Sequence, residues 1–471
     1  MNTSPSFDTL PLSAAARANL QQLGYISMTP IQAASLPLAL AGHDLIAQAQ
    51  TGSGKTAAFG LALLARVQTS GQAVQALVLC PTRELADQVA AELRRLARAQ
   101  ENLKVLVLCG GTPLRPQTES LAHGAHVVVG TPGRLMDHLE RGNLRLEGLQ
   151  TLVLDEADRM LDMGFSADID YIASRAPKNR QTLLFSATYP EAIDTLAKRF
   201  LRDPQRVALT ERPGSQQIRQ RFYEVTDEQR LHAVGLLLNH FRPASTLAFC
   251  NTKQQCRDLV DVLQAQGIAA LALHGELEQR DRDQVLVRFA NRSCPVLVAT
   301  DVAARGLDIA QLEAVINVDI TTDVEVHTHR VGRTGRTSST RTDSSDGSDS
   351  GWAFSLASLD DMGRVGRIEV MQGTASDFHP LSELTPSGSG PLLAPMVTIQ
   401  ILGGRKEKIR AGDVLGALTK DAGLSSAHIG KINVNEFSTY VAVARELAAK
   451  AEQALNERPV KGKRVKARVL D

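Results

Sequence analysis

The 471-residue sequence has little cysteine: Cys80, Cys109, Cys250, Cys256 and Cys294, an odd number with no CxxC pair. Three of them (Cys80, Cys109 and Cys250) end apolar runs that read as buried strands. Neither a disulfide framework nor a zinc site is therefore expected, and a reducing cytoplasm is the implied setting. No run of 18 apolar residues occurs, which excludes a transmembrane helix. The opening MNTSPSFDTLPLS lacks a basic n-region and an apolar h-region, which argues against secretion. Charge of one sign is also missing overall, the net being +1. With 43% hydrophobic and 22% charged residues, the composition is that of a soluble globular chain. At roughly 150 residues per domain it should form about three domains, each with its own core.

The neutral total hides an uneven distribution. Met396–Asp471 holds fourteen Lys and Arg against eight Asp and Glu, on a slightly acidic body. On charge alone this reads equally as an appended module with a polyanionic partner or as a solvated surface.

Strands and helices alternate over most of the chain. ALVLC (76–80), VLVLC (105–109), VVVG (127–130), LVLD (152–155) and TLLFS (182–186) read as buried parallel strands, with amphipathic helices between them. This predicts a doubly wound α/β domain over 1–205. TLAFC (246–250), ALALH (270–274), PVLVAT (295–300) and AVINVD (314–319) predict a second over 214–373, the polar stretch between them serving as a linker. TSSTRTDSSDGSDSG (337–351) cannot bury a core and is expected to be a disordered loop. Residues 374–395, with LTPSGSGPLLAP, read as a Pro/Gly/Ser linker. Beyond it, 396–471 has the order βαββαβ, the split arrangement of RNA-recognition modules.

AQTGSGKT (49–56), between a short apolar stretch and an apolar helix, fits GxxxxGK[ST] with Ala49 in the first glycine place. Gly52 and Gly54 permit a tight turn whose N–H groups, with those of Gln50, Thr51 and Ser53, cradle phosphates. Lys55 suits the β/γ-phosphates of ATP, and the Thr56 hydroxyl can ligate Mg²⁺. In LVLDEADRM (152–160), Asp155 can hold Mg²⁺ directly or through water, and Glu156 can orient or deprotonate the attacking water. HRVGRTGR (329–336) sets Arg330, Arg333 and Arg336 on a Gly-rich turn. Arg333 and Arg336 are candidate arginine fingers.

In this order the motifs resemble those of DEAD-box RNA helicases over residues 1 to about 373, which implies two RecA-like domains. By that resemblance GYISMTPIQ (24–32) is a Q motif in which Gln32 reads adenine, Tyr25 packs on it, Thr29 lies beside it and Phe7 is the upstream aromatic. It implies RNA-backbone contacts from Pro81, Thr82 and Arg83, from Gly111 of the Gly110–Gly111 pair, and from Thr131, Gly133 and Arg134. In the second domain it implies RNA contacts from Gln279, Arg282, Thr300 and Arg305, and a ribose contact from Asp308. Asp158, Ser186, Thr188, His329 and Arg330 would couple ATP state to RNA.

The third module resembles the RNA-binding domain of the DbpA subfamily, through KIRAGDVLGALTKDAGLSSAHIGKINV (408–434) and TYVAV. That implies an RRM-like domain on a 23S rRNA hairpin, acting on precursors of the large (50S) ribosomal subunit in the cytoplasm. Lys408, Arg410, Lys431 and Tyr440 are its candidate RNA contacts, with stacking secondary to basic groups. The expected activity is RNA-dependent ATP hydrolysis with local strand separation, ATP and RNA closing the two α/β domains. No membrane partner is expected, and a monomer is compatible. The insert at 337–351 departs from the subfamily pattern, and its acidic residues could tune, obstruct or ignore the nearby arginines. Rival readings are a DNA-translocating relative, an ATP-gated RNA clamp or scaffold without rRNA targeting, and a regulatory ATPase acting on protein.

Overall fold

A computed structural model of the chain describes residues 5–49, 52–189, 191–208, 218–304, 312–335, 351–388 and 390–470. Gln50, Thr51, Arg305, Asp308, Arg336 and residues 337–350 of the stretch expected to be a disordered loop lie outside them. Among the described residues no helix is long and apolar enough to cross a membrane. All five cysteines are free and buried.

The chain divides into two compact units. The first is built on β1 (Leu45–Gln48), β2 (Ala76–Leu79), β3 (Val105–Leu108), β4 (Val127–Gly130), β5 (Thr151–Leu154), β6 (Gln181–Ser186) and β7 (Gln205–Ala208). They form one parallel sheet in the order β3-β4-β2-β5-β6-β1-β7. Alternate residues feed opposite faces: Ala76, Val78 and Val153 join one core, Leu77, Leu79 and Leu152 the other. Helices cover both faces, which is why these strands are continuously apolar. Each fully buried leucine contributes roughly 1.5–3 kcal/mol.

The second unit carries β8 (Ile218–Glu224), β9 (Thr246–Cys250), β10 (Ala270–Leu273), β11 (Val296–Thr300), β12 (Ala314–Asn317), β13 (Gly351–Ala357) and β14 (Phe378–His379). Their order is β10-β11-β9-β12-β13-β8-β14, again parallel throughout. The polar stretch read above as a linker contributes a strand at each end, β7 and β8. β7 buries only Val207 of its four residues because it is an edge strand, so its composition resembles a loop.

The segment 374–395 is likewise more than a tether. β14 extends the sheet, and Leu384 and Leu392 enter the second core. Leu392 exchanges backbone hydrogen bonds with Gly267 and Ala269 (3.1 and 3.2 Å). The Pro/Gly/Ser composition masks two leucines that anchor the strap.

The same unit includes the C-terminal domain, a four-stranded antiparallel sheet of β15 (Met396–Ile401), β16 (Ile429–Val434), β17 (Thr439–Ala444) and β18 (Ala467–Leu470), ordered β16-β17-β15-β18. The first helix of the βαββαβ order is α over Ala411–Gly416 and continues as a π turn over Ala417–Asp421. Gly423 follows in left-handed backbone (φ 67°). Ile399, Ile401, Val441 and Val443 face the helices Ala411–Gly416 and Ala448–Glu457. By the two-residue period of a strand, Thr398, Gln400 and Tyr440 occupy the opposite face. That face rests on the turn after helix Gln279–Ala290. Asn291 Nδ2 donates to Thr398 Oγ1 (3.2 Å), Ser293 and Thr398 share a hydroxyl hydrogen bond (2.6 Å), and Asn433 Nδ2 donates to Asn291 Oδ1 (3.1 Å).

His327 is fully buried and stacks on Phe222, in a cluster with Ile320, Val365 and Ile368. Neither ring nitrogen has a hydrogen-bond partner among the described residues. Burial first, and then the Arg330 charge, lower its pKa from 6.5 to about 4. Between these values the unfolded chain binds more protons than the folded one, so stability is lost as pH falls below 6.5. His327→Leu should remove roughly 1–2 kcal/mol of the loss between pH 7.5 and pH 5, measured as the shift in thermal or urea midpoint against the parent. An unchanged pH slope would refute this.

Candidate functional site

In a parallel sheet every strand ends on the same edge, and ligands bind outside the carboxyl ends. In the first unit β1 ends in the GxxxxGK[ST] or Walker loop (49–56), β2 at Pro81–Thr82, β3 at Gly110–Gly111, β4 at Thr131–Arg134, β5 at Asp155–Glu156 and β6 at Ser186–Thr188. The sequence motifs therefore converge on one rim.

The Walker loop joins the rim through Ala49, whose N–H donates to Ser186 O (3.0 Å). Gly54, at φ 94°, precedes helix Lys55–Leu64. That backbone favours glycine, and a Cβ there would stand 2.5 Å from Gln32 Nε2 and displace it. Gln32 is itself committed: Oε1 accepts from Thr29 N (2.9 Å) and Nε2 donates to Gly54 O (3.1 Å). The Q motif is thus hydrogen-bonded to the phosphate loop. Phe7 is buried and meets Tyr25 edge to face at 6.0 Å. The Tyr25 hydroxyl donates to Glu92 Oε1 (2.5 Å), and burial raises its pKa. Ser53 precedes Gly54 at the turn, and Thr56 lies in the first turn of the helix.

Lys55 is buried, and its ammonium donates to Ala49 O (2.8 Å). Asp155 is buried as well. Burial pushes its carboxyl up to about 7, against the lowering pull of Lys55 and with a raising contribution from Glu156. Its Oδ1 accepts from Glu156 N (3.0 Å). Glu156 stands in left-handed backbone (φ 51°) before helix Ala157–Asp162. Arg159 Nη1 donates to Glu156 Oε2 at 3.0 Å. Asp158 Oδ2 accepts three hydrogen bonds, from Ala187 N (3.2 Å), Thr188 N (2.9 Å) and Thr188 Oγ1 (3.0 Å). Burial alone would raise the Asp158 pKa, but these bonds and Lys55 hold it below the ordinary range. The DEAD and SAT segments are joined through this one carboxylate.

Among the described residues no group of three or more His, Cys, Asp or Glu could hold a metal by itself. Thr56 and Asp155 offer oxygen ligands only. That donor set fits Mg²⁺, which takes few protein ligands and completes its shell with phosphate and water.

The remaining first-unit loops are wired through a residue that motif reading missed. Gln117 Oε1 faces Arg134 Nη1 (3.1 Å) and His138 Nε2 (3.0 Å), while Gln117 Nε2 donates to Cys109 O (3.0 Å). Arg134 Nη1 also donates to Thr112 O (3.0 Å). Arg134, expected as an RNA contact, thus holds the Gly110–Thr112 turn against the Thr131–Gly133 turn. Thr82 caps helix Arg83–Leu96, its Oγ1 accepting from Leu85 N (3.3 Å).

In the second unit Thr300 ends β11, and Arg282 Nη2 donates to Ala303 O (2.8 Å) in the next turn. Gln279 bonds Asp283 within its own helix (2.7 Å). Arg330 is 2% exposed. Its guanidinium meets Asp301 through two bonds (2.7 and 2.6 Å), donates to Asp319 O (2.8 Å) and lies over the Phe249 ring at 5.0 Å. Arg336 lies outside the described residues, while Arg330 is thus placed as a buried clamp. His329 and Arg333 are half-buried beside it.

The C-terminal domain corrects one expectation. Tyr440 is buried, its hydroxyl accepting from Gln400 Nε2 (3.2 Å), on the face that rests on Asn291 and Ser293. It has no ring face open to a base. Phe437, in the β16–β17 turn, is the exposed aromatic, with Lys406 Nζ 4.3 Å from its ring centre. Lys408, Arg410 and Lys431 are exposed. Lys461 Nζ donates to Lys408 O (3.0 Å), gathering basic residues at one end of the sheet.

Residues 29–196 match the DEAD/DEAH box helicase family, 229–338 the helicase conserved C-terminal domain, and 398–469 the DbpA RNA binding domain. The chain is 51% identical over 469 residues to the ATP-dependent RNA helicase DbpA of Escherichia coli K12, covering 99% of each chain. It is 44% identical over 328 residues to the DEAD-box ATP-dependent RNA helicase CshA of Streptococcus pneumoniae TIGR4, covering 69% of this chain and 62% of that one. Among solved structures, Saccharomyces cerevisiae Dbp5 bound to RNA and ADP BeF3 is similar at TM-score 0.72 and 28% identity, over 81% of this chain and 97% of that one. Matching motifs, two RecA-like sheets and a full-length relative together establish that the chain belongs to the DEAD-box ATP-dependent RNA helicases, in the DbpA subfamily.

Proposed function

We propose that this helicase hydrolyses ATP at the rim of the first sheet and is directed by its C-terminal domain to a hairpin of 23S rRNA, acting on precursors of the large ribosomal subunit in the cytoplasm. The observation that supports the chemistry best is the buried constellation of Lys55, Asp155 and Glu156 beside the Walker loop. Residues 49–56 cradle the phosphates, and the Lys55 ammonium leaves Ala49 O for them. Thr56 and Asp155 would hold Mg²⁺, which when bound neutralises phosphate charge. Glu156 takes the proton of the attacking water. Arg333 and Arg336 stabilise charge on the transferring phosphoryl group when ATP and RNA draw the two α/β domains together. Gln32 and Tyr25 select adenine, with Phe7 and Thr29 behind them, and Asp308 holds the ribose.

RNA backbone lies on Pro81, Thr82, Arg83, Gly111, Thr131 and Gly133 of the first domain and on Gln279, Arg282, Thr300 and Arg305 of the second. Arg134 supports the first set rather than joining it. Asp158, Ser186, Thr188, His329 and Arg330 relay the nucleotide state to those loops, and a short duplex is opened locally. In the C-terminal domain the exposed basic end (Lys408 and Arg410, with Lys431) takes the hairpin, and Phe437 replaces Tyr440 as the aromatic for a base.

Glu156→Gln should retain ATP and RNA binding and lower RNA-stimulated ATPase at least a hundredfold; turnover near the parent rate would remove Glu156 from the base role. Steady-state ATPase at fixed salt, compared among no nucleic acid, duplex DNA, generic RNA and a 23S fragment with the catalytic-centre hairpin, tests the target. The hairpin fragment is expected to stimulate at the lowest concentration, and equal response to any RNA would leave an untargeted helicase. Lys408→Glu with Arg410→Glu should raise the half-maximal concentration of that fragment about tenfold. The same pair should flatten the slope of log affinity against log salt by about 2. An unchanged salt slope would place the hairpin elsewhere.

A further inference from the structure

Glu156 and Arg159 form an ion pair that is withdrawn from solvent on both sides. The guanidinium Nη1 stands 3.0 Å from Glu156 Oε2, and the two side chains are 5% and 8% exposed. The pair spans one turn of helix Ala157–Asp162, whose start is pinned by Asp155 Oδ1 on Glu156 N and by Asp158 Oδ1 on Arg159 N, both at 3.0 Å. Among the described residues Oε1 of Glu156 carries no such bond. A carboxylate held by one oxygen on a planar, permanently charged guanidinium loses most of its rotational freedom, and its second oxygen points one way.

We propose that Arg159 is a positioning residue for ATP hydrolysis: it occupies Oε2 of Glu156 and so presents Oε1 to the attacking water. The water oxygen bonds to the γ-phosphorus, the bond to the β,γ-bridging oxygen breaks with its electron pair left on ADP, and the water proton passes to Oε1. The proposal rests on the reading of Glu156 as base. Arg159 touches neither nucleotide nor water in this role, so its removal should slow the chemical step and spare binding. A group displaced by about 1 Å from its productive geometry costs on the order of a hundredfold in rate.

The test is a double-mutant cycle on the full chain, read as ATPase at saturating ATP and RNA and as single-turnover hydrolysis. Arg159→Met should lower kcat about 10- to 100-fold with KM for ATP and half-saturating RNA within about twofold. Arg159→Lys should recover much of the loss, since an ammonium can still bond one oxygen. In the Glu156→Gln background, Arg159→Met should change the residual single-turnover rate less than about twofold, because the group it acts through is gone. Parent-like kcat in Arg159→Met, or an equal further loss in the Glu156→Gln background, overturns the proposal. If melting shows Arg159→Met unfolded, Arg159→Gln with and without Glu156→Gln carries the same comparison. Parent-like turnover in Glu156→Gln alone overturns the base reading and this proposal with it. An inactive Glu156→Gln beside an active Arg159→Met overturns the positioning role alone.

Discussion

All strands of both large sheets run parallel, and that constraint organises the molecule. Parallel strands need a crossover after each one, so every helix must cross a face and every strand must end on one rim. The faces are therefore buried and apolar, and the loops on the rim are the positions left for polar chemistry. Six strands of the first sheet end in motifs there. The opposite rim carries none of the ATP-site motifs.

Burial then sets the electrostatics at that rim. Lys55, Asp155, Glu156, Asp158 and Arg159 are nearly inaccessible, in a place where an isolated charge is costly. Each is held by a neighbour: Lys55 by Ala49 O, Asp158 by Thr188, Glu156 by Arg159. Asp155 is the least compensated, and burial drives its carboxyl up to about 7. A cation arriving with phosphate would relieve that cost. The second unit treats Arg330 in the same way, holding it with Asp301 and a backbone carbonyl under the Phe249 ring.

The C-terminal sheet follows a different rule. Antiparallel strands can bury one face and leave the other polar. Here the polar face is covered as well, by Asn291 and Ser293 of the second helicase domain. The strap at 374–395 lies along the same domain, with Leu392 in its core. The exposed groups of this domain gather instead at one end of the sheet, where Lys406 lies over the Phe437 ring and Lys408 is close by in the chain.

The sequence by itself determined the fold class and the motifs that stand at the strand ends of the first sheet. Continuous apolar runs can be satisfied only between two helical layers, and AQTGSGKT and DEAD each carry their chemistry within a few neighbouring residues. Tertiary structure decided what depends on partners distant in sequence. β7 buries only Val207 because it is an edge strand, and 374–395 looks like a tether until Leu384 and Leu392 meet the second core. Tyr440 alternates correctly for an exposed face, yet that face meets residues about 150 positions earlier in the chain. Gln117 carries no motif signal, because its partners Cys109, Arg134 and His138 lie 8 to 21 residues away and meet it only in the folded chain.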